Sequence, residues 1–376
     1  MYLTTFRSTT PINTNVSYTD LLTANLNTEN YTPDYYKQTF HIENPKPLEE
    51  LHHHQQTQVA VAQTGICMAK RVLEEFTENY EEQYTEFPIP KRSGGLRMIS
   101  APNERFKTAL KTVQCIFKTH IKCLPHNAAY AYVENTDYKD ALVKHQQNES
   151  KWFLKIDLSD FFPSCTEEFI FNQLKDLYPF YYFNNAALED LKQVIKICCL
   201  HGSLPQGSPM SPLLTNLAMV SYDYNLKQYL KRGTGTHFCY TRYADDILIS
   251  SKSNFNFQEL IEYLKIILSP FQIKDKKTRY GSIAGSNWNL GLMLNKDNNI
   301  TLGYAKKKIL NAMLNNFLKD YKTNLKWPRQ DVYILQGQLG QLKHIEPEYY
   351  EHLIDKYEHK YQVDYKRAIS VSLKIN

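Results

Sequence analysis

The sequence predicts an α+β protein, an antiparallel sheet packed on helices and followed by an all-helical tail. Short β-prone stretches at 151–158, 237–243 and 247–251 alternate with longer segments whose apolar residues recur every three or four positions. From Tyr304 onward only the helical period remains, with Ile309, Met313, Phe317 and Tyr321 marking one face. With 376 residues, 42% hydrophobic and 22% charged, the chain is long enough for more than one core. Its apolar runs fall well short of the ~18 residues of a membrane span, so a soluble protein is expected.

Composition narrows the classes further. Glycine numbers only 13, with none in the first 64 residues, which argues against collagen-like, linker-like or low-complexity architecture. The seven cysteines include no CxxC spacing, and the chain opens without a secretory leader, so a reduced, cytoplasmic setting is expected rather than a disulfide framework or zinc ribbon. Net charge is +5, yet residues 1–50 hold three basic and six acidic side chains, which concentrates the positive surplus downstream. That balance is compatible with nucleic-acid binding.

Residues 1–84 read as an N-terminal extension, partly helical: a Thr- and Asn-rich opening, then an amphipathic helix from about 48 to 80 on which Val59, Ala62, Ile66, Ala69 and Val72 share a face. His52, His53 and His54 are consecutive and cannot share one helix face, so they read as surface residues. Residues 87–102 have the pattern of a hairpin turning at Ser93-Gly94-Gly95, with Lys91, Arg92 and Arg97 flanking its tip. A helix is expected over 104–121 from Phe106, Leu110, Val113 and Phe117. Residues 151–158 read as a buried strand carrying Asp157, and 204–212 as a turn-rich opening to a helix over 213–230. After a loop at 233–235 come two β-prone arms around Ala244-Asp245-Asp246, and then the helical tail, with two further helices beyond Pro328.

Asp157 and the Asp245-Asp246 pair are the candidates for chemistry. An acidic pair between two apolar arms sits against a sheet rather than in bulk water. If Asp157 lies on the neighbouring strand, Asp157 and Asp245 could share two hard cations, Mg²⁺ by preference, since it takes oxygen ligands and leaves room for phosphate oxygens. Two such ions about 4 Å apart activate a hydroxyl nucleophile and stabilise a leaving pyrophosphate.

Lys155-Ile-Asp-Leu-Ser-Asp-Phe-Phe162, Leu204-Pro-Gln-Gly-Ser-Pro-Met-Ser-Pro-Leu213 and Tyr243-Ala-Asp-Asp246 resemble, in order and spacing, three signature blocks of reverse transcriptases of the prokaryotic retron and group II intron branch. A Gly-Gly-x-Arg hairpin precedes them and a helical tail follows. The resemblance covers roughly residues 85–370. It implies a right-hand polymerase, with fingers and palm interleaved over 85–303 and a helical thumb over 304–376.

It also implies roles for individual residues. Asp157, Asp245 and Asp246 match the metal-binding catalytic aspartates, serving two Mg²⁺ ions with Mn²⁺ as substitute. Lys91 or Arg92, with Arg97, match the fingers residues that grip the nucleotide triphosphate, as guanidinium and ammonium donors suit a polyphosphate. Phe162 matches a steric gate that excludes a 2′-hydroxyl, and Gln206 and Gly207 match the segment beneath nucleotide and template. Lys277 corresponds to a lysine near the departing pyrophosphate, a general acid or charge partner. Leu290 and Gly291 resemble the hairpin holding the primer's 3′ end. Lys306, Lys307 and Lys308 open a tail with 13 basic and eight acidic residues over 304–376, placed to run along duplex phosphates.

The expected activity is therefore RNA-directed DNA synthesis from dNTPs on an RNA template and a DNA or RNA primer, in a retron-like or phage-defence system. A dedicated structured RNA and an effector protein are the further partners such a system implies, and no membrane is expected. An RNA-binding maturase-like scaffold and a template-independent or protein-primed DNA polymerase are the alternatives. Oligomeric state and priming mode are not legible. Asn289-Leu290-Gly291 stands where retron enzymes usually show Val-Thr-Gly, and the chain ends without the extension group II intron proteins add after the thumb.

Overall fold

A computed structural model describes residues 52–91, 94–122, 125–232, 237–283, 288 and 290–375. Arg92, Ser93, residues 1–51 of the N-terminal extension, the loop at 233–235 and Asn289 lie outside the described residues. In chain order the first elements are α1 (His53–Leu73), β1 (Tyr84–Pro90), β2 (Leu96–Pro102), α2 (Glu104–Ile116), α3 (Tyr138–Gln147) and β3 (Trp152–Ser159). There follow α4 (Glu167–Lys175), α5 (Asn185–Cys198), α6 (Met210–Ala218), α7 (Val220–Arg232), β4 (Phe238–Tyr243) and β5 (Asp246–Ser251). The remainder comprises α8 (Phe257–Ile267), β6 (Gln272–Ile273), β7 (Arg279–Ser282), β8 (Met293–Leu294), β9 (Ile300–Thr301), α9 (Tyr304–Lys322), α10 (Arg329–Ile345), α11 (Pro347–Tyr361) and α12 (Tyr365–Ile375).

The chain divides into two compact units. The first holds the chain up to Asp137 together with Leu154–Ile249 and Phe255–Arg279. Its sheet runs in the order β4-β5-β3-β6, with β7 also pairing with β3. β6 is antiparallel to β3, Leu158 facing Ile273 and Ser159 facing Gln272. Leu154, Ile156 and Leu158 of β3 are fully buried, which explains the unbroken apolar run of this strand. α1 buries Val59, Ala62, Ile66, Ala69 and Leu73 against α2 and α5, on the three-to-four period read from sequence. It is shorter than that reading, because the chain tightens into 3₁₀ turns at Glu74–Phe76 and Tyr80–Gln83. The single helix expected over 213–230 is broken at Met219 into α6 and α7.

The second unit holds Tyr138–Phe153, Ser250–Asn254 and Tyr280–Asn376. Three helices rather than two follow Pro328, the last two separated by a left-handed residue at Gln362. α9 buries Leu310, Leu314, Phe317 and Leu318, whereas Ile309 is 58% exposed. The expected face is therefore rotated. Two stripes on α9 share Phe317, and the one carrying three leucines removes more apolar area from water than the one carrying Met313 and Tyr321. Glu346, between α10 and α11, accepts from Thr301 Oγ1 at 2.9 Å, Leu302 N–H at 2.9 Å and Lys307 Nζ at 2.8 Å, which ties β9 and α9 to that corner. Among the described residues no helix is long and apolar enough to cross a membrane.

Candidate active site

Side chains alternate across a strand, so Lys155 and Asp157 project from one face of β3 while Ile156 and Leu158 fill the other. Backbone bonds then fix what lies beside Asp157. Leu158 N–H donates to Asp245 C=O at 3.1 Å, which holds the turn between β4 and β5 against β3. On the other side Lys274 N–H donates to Asp157 C=O at 2.9 Å. The three aspartates named from sequence thus stand side by side, Asp157 on β3 and Asp245-Asp246 at the turn into the neighbouring β5.

Lysines compensate their charge. Lys274 Nζ lies 2.5 Å from Asp157 Oδ1 and also donates to Leu158 C=O at 2.8 Å, while Lys277 Nζ lies 3.0 Å from Asp157 Oδ2. Lys155 Nζ pairs with Asp246 Oδ2 at 3.1 Å. Burial pushes the Asp157 carboxyl up, but Lys274 and Lys277 outweigh it and hold the group below its ordinary value. Asp245 is raised, first by burial and then by its like-charged neighbours Asp246 and Asp157. Among the described residues no three His, Cys, Asp or Glu side chains close up into a metal cage. The donor set nevertheless fits hard divalent cations: it is all carboxylate oxygen, and ammonium groups stand where the carboxylates need positive charge.

The turn itself rests on a buried polar cluster. Ala244 is left-handed, with φ 56°, and its carbonyl accepts from Arg242 Nη1 at 3.2 Å. Arg242 is held by Asp223 of α7 through Nε at 2.9 Å and Nη2 at 2.7 Å, and by Asn216 of α6 at 3.1 Å. Tyr240 donates its hydroxyl to Asp223 at 2.5 Å.

The remaining expected residues divide between the two units. In the first, Phe162 lies in the turn after β3 and is half-buried, while Phe161 is the core ring, packing on Phe271 at 5.3 Å. Gln206 C=O accepts from Ser100 N–H at 2.8 Å. Gly207 has φ 135°, and a Cβ there would meet the Ser100 carbonyl oxygen at 2.6 Å, so β2 itself requires glycine at this position. Lys91 and Arg97 are exposed on the β1–β2 hairpin, whose turn is closed by Lys91 N–H to Gly95 C=O at 2.9 Å. Neither forms an ion pair among the described residues.

In the second unit, Leu290 and Gly291 form a turn closed by Trp288 N–H to Leu292 C=O at 3.1 Å. Lys306 binds Gln341 at 2.6 Å and Lys307 is drawn into its pair with Glu346, while Lys308 is exposed. The lysine run therefore does not present three equivalent cations.

Sequence reasoning missed Lys155, Lys274 and Arg242 with its partners. The alternation of β3 was a signal for Lys155, two residues before Asp157. Lys274 was hidden in a charge run, where spacing does not distinguish one lysine from the next.

The profile of the family described as reverse transcriptase (RNA-dependent DNA polymerase) matches residues 89–327. The retron Ec73 reverse transcriptase of Escherichia coli is 32% identical over 288 residues, spanning 72% of this chain and 86% of that protein. The retron Ec83 reverse transcriptase of the same organism is 29% identical over 289 residues, spanning 73% and 86%. Among solved structures, a Candida albicans telomerase in complex with a fragment of telomeric RNA matches with TM-score 0.39 and 14% identity, over 80% of this chain and 65% of that one.

Proposed function

The chain belongs to the reverse transcriptase family, and on that premise we propose how its residues divide the work of an RNA-directed DNA polymerase of the retron type. The observation that carries the proposal is the bond from Leu158 N–H to Asp245 C=O at 3.1 Å, which sets Asp157 and Asp245 side by side. Asp157 and Asp245, with Asp246 beside them, would hold two Mg²⁺ ions or the Mn²⁺ that substitutes for them. When bound, such ions lower the pKa of a primer hydroxyl and neutralise a departing pyrophosphate.

The reaction is displacement of pyrophosphate from the α-phosphate of a dNTP by the primer's 3′-hydroxyl. Lys91, Arg97 and Arg92 grip the triphosphate. Phe162 fills the space a 2′-hydroxyl would need, which selects dNTPs over NTPs. Gln206 and Gly207 form the floor beneath nucleotide and template. Lys277, already at Asp157, supplies a proton or positive charge as pyrophosphate leaves. Leu290 and Gly291 hold the primer terminus, and Lys308 leads the thumb's phosphate contacts, with Lys306 and Lys307 behind it. Fingers and palm occupy 85–303 and the thumb 304–376.

The system we propose is retron-like, working in the cytoplasm in phage defence, with a dedicated structured RNA as template and an effector protein as partner. Purifying the protein from its cells and sequencing the bound nucleic acid tests this. A defined RNA joined to its own complementary DNA supports the proposal. Intact RNA without any DNA copy would favour an RNA-binding scaffold instead.

A further inference from the structure

Tyr132 has no place in the roles assigned above, yet the backbone places it beside the turn that carries Asp245. Ala129 forms a parallel bridge with Arg242, flanked by Arg242 N–H to Ala128 C=O at 2.6 Å and Tyr130 N–H to Arg242 C=O at 2.9 Å. Two residues further along each chain stand Ala131 and Ala244, and the same buried cluster holds both carbonyls. Asn216 Nδ2 donates to Ala131 C=O at 2.8 Å while its Oδ1 accepts from Arg242, whose Nη1 also reaches Ala244 C=O. The next residues along the two chains are Tyr132 and Asp245.

Both chains turn left-handed there, Ala244 at φ 56° and Tyr132 at φ 62°. A positive φ is uncommon outside glycine and unfavourable for other residues, so the cluster maintains two unfavourable turns side by side. Tyr132 is only partly covered, with 58% of its surface exposed, an unusual position for a large ring. Crowding by the surrounding chain, then Asp245 and Tyr243, raise its phenol pKa, and Arg97 opposes them. The bridge and the shared buried cluster therefore place Tyr132 beside the turn that carries Asp245.

We propose that Tyr132 is a nucleotide-binding residue, an aromatic face beside Asp245 on which the sugar and base of the incoming dNTP pack. This rests on the polymerase reading, which puts the triphosphate at Arg97 and the reacting phosphate at Asp245. A ring face accepts any of the four bases, so it adds affinity without sequence preference.

The test uses the full chain on an RNA template with a 3′-dideoxy-terminated primer, so that no bond can form. The next complementary dNTP is titrated, and the complex that survives a heparin challenge is measured, alongside primer–template affinity without nucleotide. Tyr132→Ala is expected to raise the dNTP concentration required by about tenfold or more, with primer–template affinity unchanged. Tyr132→Phe should stay within about twofold of wild type, because the ring face is what matters. Tyr132→Asn tolerates a positive φ and should match the alanine variant, which separates loss of the ring from collapse of the turn. An unchanged dNTP titration in Tyr132→Ala, an asparagine variant that behaves like wild type, or an equal loss of primer–template binding would overturn the proposal. A wild type that forms no nucleotide-dependent complex would overturn the polymerase reading as well, a distinct result.

Discussion

Arg242 and Asp223 form a two-pronged ion pair, at 2.9 and 2.7 Å, with neither side chain exposed to water. The remaining Nη1 of Arg242 spans Asn216 and the carbonyl of Ala244, so the geometry of the Ala244-Asp245 turn depends on a charge pair in the core. Removing one partner strands the other charge in a medium that solvates it poorly. Asp223→Asn is therefore expected to cost about 3–5 kcal/mol in urea unfolding. The double variant Arg242→Met, Asp223→Leu should lose less stability than Asp223→Asn, because no charge remains buried. A double variant less stable than the single one would show that the pair acts through packing.

Lys274 competes with any cation that approaches Asp157. With Lys274→Met the carboxylate keeps Lys277 as its close ammonium partner among the described residues. Millimolar Mg²⁺ is then predicted to raise the melting temperature of Lys274→Met more than that of wild type, since a ligand stabilises according to its affinity for the folded state. An equal or smaller shift in the variant would contradict the idea that lysines hold the place of metal charge.

Phe161 packs in the core and leaves Phe162 half-buried beside the turn after β3. Phe162→Ala is expected to raise the NTP-to-dNTP incorporation ratio by at least about tenfold, equivalent to about 1.4 kcal/mol of lost discrimination. Single-nucleotide insertion kinetics read this directly. An unchanged ratio would remove Phe162 from the gate.

Much of this site was legible because the chemistry forces particular residues into short segments. Asp157 had to sit in a buried strand, and Asp245-Asp246 had to sit between two apolar arms, so both could be read locally. Asp223 and Asn216 could not, because each lies on an amphipathic helix where one polar residue looks like part of a solvated face. Tyr132 gave no periodic signal; its position comes from a parallel bridge between segments more than 100 residues apart. The face of α9 was misread because two stripes shared Phe317, and the break at Met219 follows no glycine or proline.

His126 and His145 are buried, and burial pushes both rings down to about 3. In the unfolded chain they titrate near ~6.5. Between those values the unfolded state binds more protons, so their contribution is complete above ~6.5 and declines as pH falls toward 3. Each histidine contributes about 1.4 kcal/mol per pH unit over that window. Urea unfolding at pH 7, 6 and 5 should show the decline, with a shallower slope for His145→Gln. A flat profile would mean that the rings charge in the folded protein.

The adjacency of Asp157 and Asp245 is the centre of the account, and extension of a primer on an RNA template with dNTPs and Mg²⁺ tests it most directly. Wild type should extend the primer, while Asp245→Asn and Asp157→Asn should each slow extension by about a thousandfold or more with primer–template affinity retained. Extension by either variant at a rate comparable to wild type would contradict the assignment.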